Sequence, residues 1–183
     1  DKGKGALRGP GIWKDTEQKD FAKGKTFGAA INSAGQVELI AADNIVYSAP
    51  EGLLWSQATD GDGNLYAGAW MSGVVHKISA DGTARNFFES SQVAVQSLTA
   101  DAEGNLYVGT APSGTIYKVT PAGRAEAFAK LGDPYIWSMT VLSDGSLLAG
   151  TGPQGILYRI TTTGQSEAVF TAPDRHIISC LLY

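Results

Sequence analysis

From residue 53 onward the chain alternates short apolar runs with turn-rich punctuation. One kind of run reads LLWSQAT, VQSLTA, IWSMTVL and finally IISCLLY. After it come Asp, Gly and Asn turns (DGDGN, AEGN, SDGS), then LYAGA, LYVGT or LLAGT, then VVHKI, TIYKV or ILYRI. A turn ending in glycine (SADG, TPAG, TTTG) leads to a fourth run near 86–88, 126–128 or 167–170. The runs are short, apolar or alternating, and rich in β-branched and aromatic residues, which predicts strands. The turns have the chemistry of tight hairpins. No segment has the length and period of a helix.

The pattern repeats at a fixed step. Gly63, Gly104 and Gly145 are 41 residues apart (104−63, 145−104), and Gly68, Gly109 and Gly150 keep the same step. So do Gly73, Gly114 and Gly155, then Gly82, Gly123 and Gly164. Ser56, Ser97, Ser138 and Ser179 carry it through a fourth copy. A four-stranded antiparallel unit repeating at roughly 40–45 residues predicts the blades of an all-β propeller. One such unit cannot cover its own apolar faces, so units must stack. The repetition is a packing solution.

This register divides the chain. Residues 1–25 read as a leader or linker. Residues 26–49 read as the outer hairpin of a partial blade, with 33–35 at the place of the SADG turn. Residues 50–90, 91–131 and 132–172 are three blades, and 173–183 is the first strand of another. The chain begins at Asp1 with no signal-type apolar stretch, which suggests processing, trimming or a fragment. The expectation is an incomplete arc of a larger propeller, completed by further blades of a longer chain or by a second copy.

The DGNLYVGT-like and GxIYKVTPxG-like segments, spread over residues 26–183, resemble the β-propeller superfamily in its WD-like, NHL-like and gluconolactonase- or lyase-like regions. They look most like the blades of bacterial repeat proteins. The WD dipeptide and its Gly-His partner are absent, which argues against a true WD-repeat protein. The resemblance implies a fold and assigns no catalytic residue.

Composition narrows the partners. Of 183 residues, 43% are hydrophobic and 17% charged, so the chain is globular. It carries 14 basic and 18 acidic residues, a net charge of −4, with no basic run. That argues against a nucleic-acid footprint. No apolar run approaches the ~18 residues of a membrane span. Cys180 is the one cysteine, so no internal disulfide forms. The compartment stays open, with a periplasmic or secreted location slightly favoured.

Several motifs suggest chemistry and then lose their context. Gly150-Thr-Gly152-Pro-Gln-Gly155 has dinucleotide-loop spacing, but the strand ILYRI follows where a helix N-terminus is needed. Asp60-Gly-Asp62-Gly-Asn64 opens like a calcium loop, yet Leu65 and Met71 stand at its sixth and twelfth positions. Turn chemistry explains it, with weak calcium binding the residual possibility and no other cofactor implied. His76 takes the place of Tyr117 and Tyr158 and reads as packing. Cys180 aligns with Leu98 and Met139 and reads as a small buried hydrophobe. Lys77, Lys118 and Arg159 recur beside the acidic turns at Asp60, Asp101 and Asp144, which predicts structural ion pairs with stems over the blade faces.

Two residue sets remain as site candidates. Ser56, Ser97, Ser138 and Ser179 fall on first strands, which line a propeller's channel, so they are channel-lining candidates or steric fillers. The second set lies on loops, where propellers place function. One rim gathers Glu51, Trp70, Met71, Asp133, Tyr135, Gln154, Asp174, Arg175 and His176, and these differ between copies while the other rim repeats. Variation between copies points to a binding face. The main reading is a non-catalytic scaffold presenting this rim to a protein or glycan. The first alternative is a metal-dependent lactonase- or lyase-type enzyme using Glu51, Asp133, Asp174 and His176. The second is a structural repeat of a longer surface protein.

Overall fold

The computed structural model describes residues 29–31, 37–39, 45–50 and 53–180. The predicted leader at 1–25 and the candidate Glu51 lie outside them. The chain divides into two compact units, residues 1–45 and 46–183. In the first, β1 (Ala29–Ile31) pairs antiparallel with β2 (Val37–Leu39), Ala30 opposite Glu38.

The second unit holds three four-stranded antiparallel sheets, each built in chain order. The first contains β3 (Leu54–Thr59), β4 (Leu65–Ala69), β5 (Val74–Ile78) and β6 (Ala84–Glu89). The second contains β7 (Ala94–Ala100), β8 (Leu106–Ala111), β9 (Thr115–Val119) and β10 (Ala125–Lys130). The third contains β11 (Tyr135–Val141), β12 (Leu147–Gly152), β13 (Ile156–Ile160) and β14 (Ser166–Thr171). Every strand lies where the repeat puts one, and no helix occurs among the described residues. The sheets do not close on themselves.

The hairpins fold as their residues require. In the β3–β4 turn Gly63 has φ 80°, and its N–H donates to the Asp60 carbonyl. The Asp60 carboxylate accepts from the Asp62 and Asn64 N–H groups, from the Asn64 amide and from the Tyr66 hydroxyl at 3.0 Å. Burial pushes this carboxyl up, and those hydrogen bonds more than offset it, leaving it below its ordinary value. Asp101 repeats the arrangement with Asn105 and Tyr107. The carboxylate that resembled a calcium ligand therefore holds a turn.

The cation series lies on the same rim as these turns. The Lys77 ammonium is 3.9 Å from Asp60 and stands over the Tyr66 ring. Arg159 pairs with Asp144. Lys118 stands over the Tyr107 ring, whose hydroxyl donates to Asp101.

The core sits between sheets. Tyr66, Val75 and Phe87 of the first sheet pack with Val95, Leu98, Leu106, Val108 and Val119 of the second. Tyr107, Ile116 and Ala129 pack in turn with Ile136, Met139, Leu147 and Ile160 of the third. His76 is fully buried, as packing predicts, and its Nδ1 lies 3.1 Å from the Tyr47 hydroxyl.

First strands are neighbours between sheets, tied by the serine series. Ser56, Ser97 and Ser138 face Gly68, Gly109 and Gly150 across the first hairpin. Ser56 Oγ donates to the Val95 carbonyl at 3.3 Å, and Ser97 Oγ to the Ile136 carbonyl at 2.8 Å. Beside the third sheet, residues 177–180 take the matching place without forming a regular strand. A Cβ on Gly150 would meet the Ile177 carbonyl at 2.7 Å, and Ser138 Oγ donates to Cys180 Sγ at 3.3 Å. Cys180 is half-buried rather than enclosed, because no further sheet among the described residues packs over it.

Candidate functional site: the loop rim

The loops after the second strands and the loops between sheets meet at one rim. Gly114 has φ 65°, and a Cβ there would overlap the Asp133 carbonyl. Gly73 approaches Gln92 and Ser90, and Gly155 approaches Asp174, in the same way. The rim loops are thus clamped to one another by backbone contact that only glycine permits.

A bulge in every first strand aims a side chain at this rim. Register shifts fall between Leu54 and Ser56, Val95 and Ser97, and Ile136 and Ser138. The extra residues are Trp55, Gln96 and Trp137. A bulge re-aims its side chain and sharpens the twist. Trp55 packs on Trp70 with ring centroids 4.7 Å apart. Trp137 stacks on Tyr135 at 5.4 Å, and its indole N–H donates to His176 Nδ1 at 3.0 Å. Because an indole nitrogen only donates, Nδ1 must accept, which places the neutral histidine's proton on Nε2.

The rim candidates separate by environment. Trp70 and Tyr135 are half-buried ring walls, and Met71 is an exposed apolar tip. Asp133 is only 1% exposed, its carboxylate accepting from Thr151 Oγ1 at 2.5 Å and from the Gln154 N–H at 3.3 Å. It anchors a loop. Burial first, and then the Asp133 charge, push the neighbouring Tyr158 hydroxyl up. Gln154, Asp174, Arg175 and His176 are exposed. No group of three or more His, Cys, Asp or Glu side chains suited to a metal occurs among the described residues. The set Asp133, Asp174 and His176 does not converge there.

A groove runs along the first strands, lined by the three serines and by the bulge residues Trp55, Gln96 and Trp137, together with Gln57, Leu98 and Met139. The Ser56, Ser97 and Ser138 hydroxyl protons are engaged in the bonds described above, whereas Ser179 is exposed. Trp55, Gln96 and Trp137 stood outside the candidate set. Their signal was the position just before the repeated serine, which is Trp in two blades and Gln in one.

Comparison with solved structures decides the fold. Virginiamycin B lyase from Staphylococcus aureus aligns with a TM-score of 0.62 at 18% identity, over 79% of this chain and 48% of that one. The chain carries the β-propeller fold. A streptogramin B lyase aligns with the propeller at 0.62 and 17%, over 79% and 54%. A putative gluconolactonase aligns at 0.56 and 18%, over 79% and 56%. This propeller chain spans about half the length of those proteins. No family model matches it, and no curated protein does.

Proposed function

We propose that the protein is a ligand-binding propeller of the lyase or lactonase kind, working through its loop rim. The observation that carries this reading is the rim cluster of Tyr135, Trp137 and His176, in which an acid–base side chain is held by an indole against a stacked aromatic pair. A scaffold rim has no need of a histidine oriented through one nitrogen. The likeness to propellers described as lyases and a putative gluconolactonase favours the same reading over passive scaffolding, and the fold alone would not. A protein or glycan partner on the rim is the reading this displaces. His176 is the acid–base candidate, its Nε2–H available as a donor to a leaving or carbonyl oxygen. The described residues offer no metal centre, so the proposal routes no step through a metal.

The third sheet supports a second element of the proposal. Val169 and Phe170 are 45% and 55% exposed, whereas Phe87, the repeat mate of Val169 in the first sheet, is 7% exposed. A further blade, from a longer chain or a second copy, would cover this face.

The test is incubation with glucono-lactone and with quinupristin, the compound held in a solved structure of catalytically inactive virginiamycin B lyase, read by mass spectrometry. Addition of one water marks a lactonase, and ring opening without a change of mass marks an elimination. Loss of turnover in His176→Ala with the fold intact supports the reading. Absence of any reaction, together with absence of binding to either compound, overturns it.

A further inference from the structure

The repeat that builds the rim fails at one blade, and the failure leaves a cavity. In the first blade Trp55 lies on Trp70. In the third, Trp137 and His176 close over Gly152, where a Cβ would meet Trp137 Nε1 at 2.7 Å. In the second, the equivalent positions are Gln96 and Ala111, which are too small to fill the same space. The result is a cavity of about 210 Å³ lined by Trp70, Val93, Gln96, Ala111, Pro112 and Tyr135.

Its buried amide is fixed at one end and unsatisfied at the other. Gln96 is 2% exposed. Its Oε1 accepts from the Ile136 N–H at 3.0 Å, which settles which end of the amide is which. The Nε2 group is buried with no hydrogen-bond partner among the described residues. A buried amide donor without an acceptor is costly, and native structures rarely leave one without a reason.

We infer that this cavity is a recognition subsite for a neutral, flat apolar ring carrying one hydrogen-bond acceptor, of the aryl ketone or aryl ester class. The inference rests on the rim being the ligand face. Trp70 and Tyr135 supply walls for a ring, and Gln96, which lines both this cavity and the first-strand groove, supplies an amide donor that a ligand carbonyl reaches once the side chains covering Nε2 shift aside. The lining carries no charged side chain, which selects against carboxylates and ammonium groups. Its side-chain polar groups are the Gln96 amide, the Trp70 indole N–H and the Tyr135 hydroxyl, fewer partners than the several hydroxyls of a sugar need. The volume suits one ring and its substituent, below the usual size of a whole drug-sized site, so it holds part of a larger ligand.

The experiment uses the full chain, isotopically labelled, with acetophenone, ethylbenzene and methyl glucoside as probes. Acetophenone should shift the Gln96 side-chain amide resonances and bind about fivefold more tightly than ethylbenzene, the factor one net hydrogen bond supplies. Methyl glucoside should leave those resonances unmoved. Gln96→Met should equalise the first two probes, and Trp70→Ala should weaken both. Should Gln96→Met fail to fold, the amide shift in the native protein and the Trp70→Ala titration still decide. Equal binding of acetophenone and ethylbenzene with an unmoved Gln96 amide overturns the inference, as does preference for the glucoside. Probe binding without lactone turnover removes the enzymatic reading and leaves the subsite. Turnover with no probe at Gln96 does the reverse.

Discussion

Ser97 and Gly109 face each other across the β7–β8 pair, and the serine hydroxyl fills the space that a Cβ on the glycine would need. The small residue on one strand permits a hydroxyl on the other to fold inward and reach the next blade.

That relationship makes Gly109→Ala costly. The added methyl would collide with the Ser97 hydroxyl and meet Ile136 Cγ2 at 3.0 Å. Overpacking of this kind costs about 1–3 kcal/mol. Ser97→Ala should cost about 1 kcal/mol through the lost bond to Ile136. The double variant should be less destabilised than the sum, because one obstacle to the methyl has gone. Urea unfolding of the four proteins measures the coupling, and strict additivity would refute it.

Gly152→Ala should behave in the opposite way. Its methyl would displace His176 and the Trp137 indole nitrogen, the ends of side chains on an exposed rim. Stability should change by no more than about 0.5 kcal/mol, while the Trp137 indole N–H resonance moves to the position of a solvated indole. A large loss of stability with that resonance unchanged would show that the pair is rigidly enclosed.

Acid should weaken the third blade through Asp144. Hydrogen bonds from the Ser146 hydroxyl and N–H, and then the Arg159 guanidinium, hold its carboxyl down at about 2. A depressed folded value means a stabilising contribution present above the ordinary value of 3.8 and lost as pH falls through about 2. Asp144→Asn should flatten the stability profile in that window. Ser146→Ala should raise the Asp144 titration midpoint more than Arg159→Ala does, a ranking that carboxyl-carbon NMR reads directly.

Alkali should act through Tyr66. Burial, and then the Asp60 carboxylate that accepts its hydroxyl proton, push it up to about 12. A raised folded value means stability fully present below the ordinary 10.0 and lost as pH rises through about 12. Tyr107 and Tyr158 are also raised, by burial first, so tyrosinate absorbance should show a group of late steps, with the one near 12 lost in Tyr66→Phe. A Tyr66 that ionises with the exposed tyrosines would contradict the Asp60 contact.

The blades were legible because glycine, serine and turn residues recur at one step, and each recurrence has a backbone cause that sequence alone exposes. The rim was harder to read. Asp133 looked like a functional carboxylate, and its burial beneath Thr151 and Gln154 depends on a fold that brings residues 133 and 151 together. Lys77 combines its ring contact with the Asp60 ion pair, whereas Lys118 stands over the Tyr107 ring and no ion pair of it occurs among the described residues, since a long side chain chooses among contacts of similar worth. Gln96 was overlooked because a glutamine in a strand has no motif. Its meaning came from comparing it with Trp55 and Trp137, which requires knowing that this position is a bulge.

The serine bond also has a direction. Ser56 gives its proton to the second blade, and Ser97 gives its own to the third. Each joint is therefore heterologous, a head meeting a tail, so the same contact can recur from one blade to the next. Such a joint fixes the relation between neighbours and is indifferent to how many neighbours there are. Duplicating one 41-residue unit, with its serine and its facing glycine, adds a link without redesigning any other. The number of blades is then set by the angle at which each link turns.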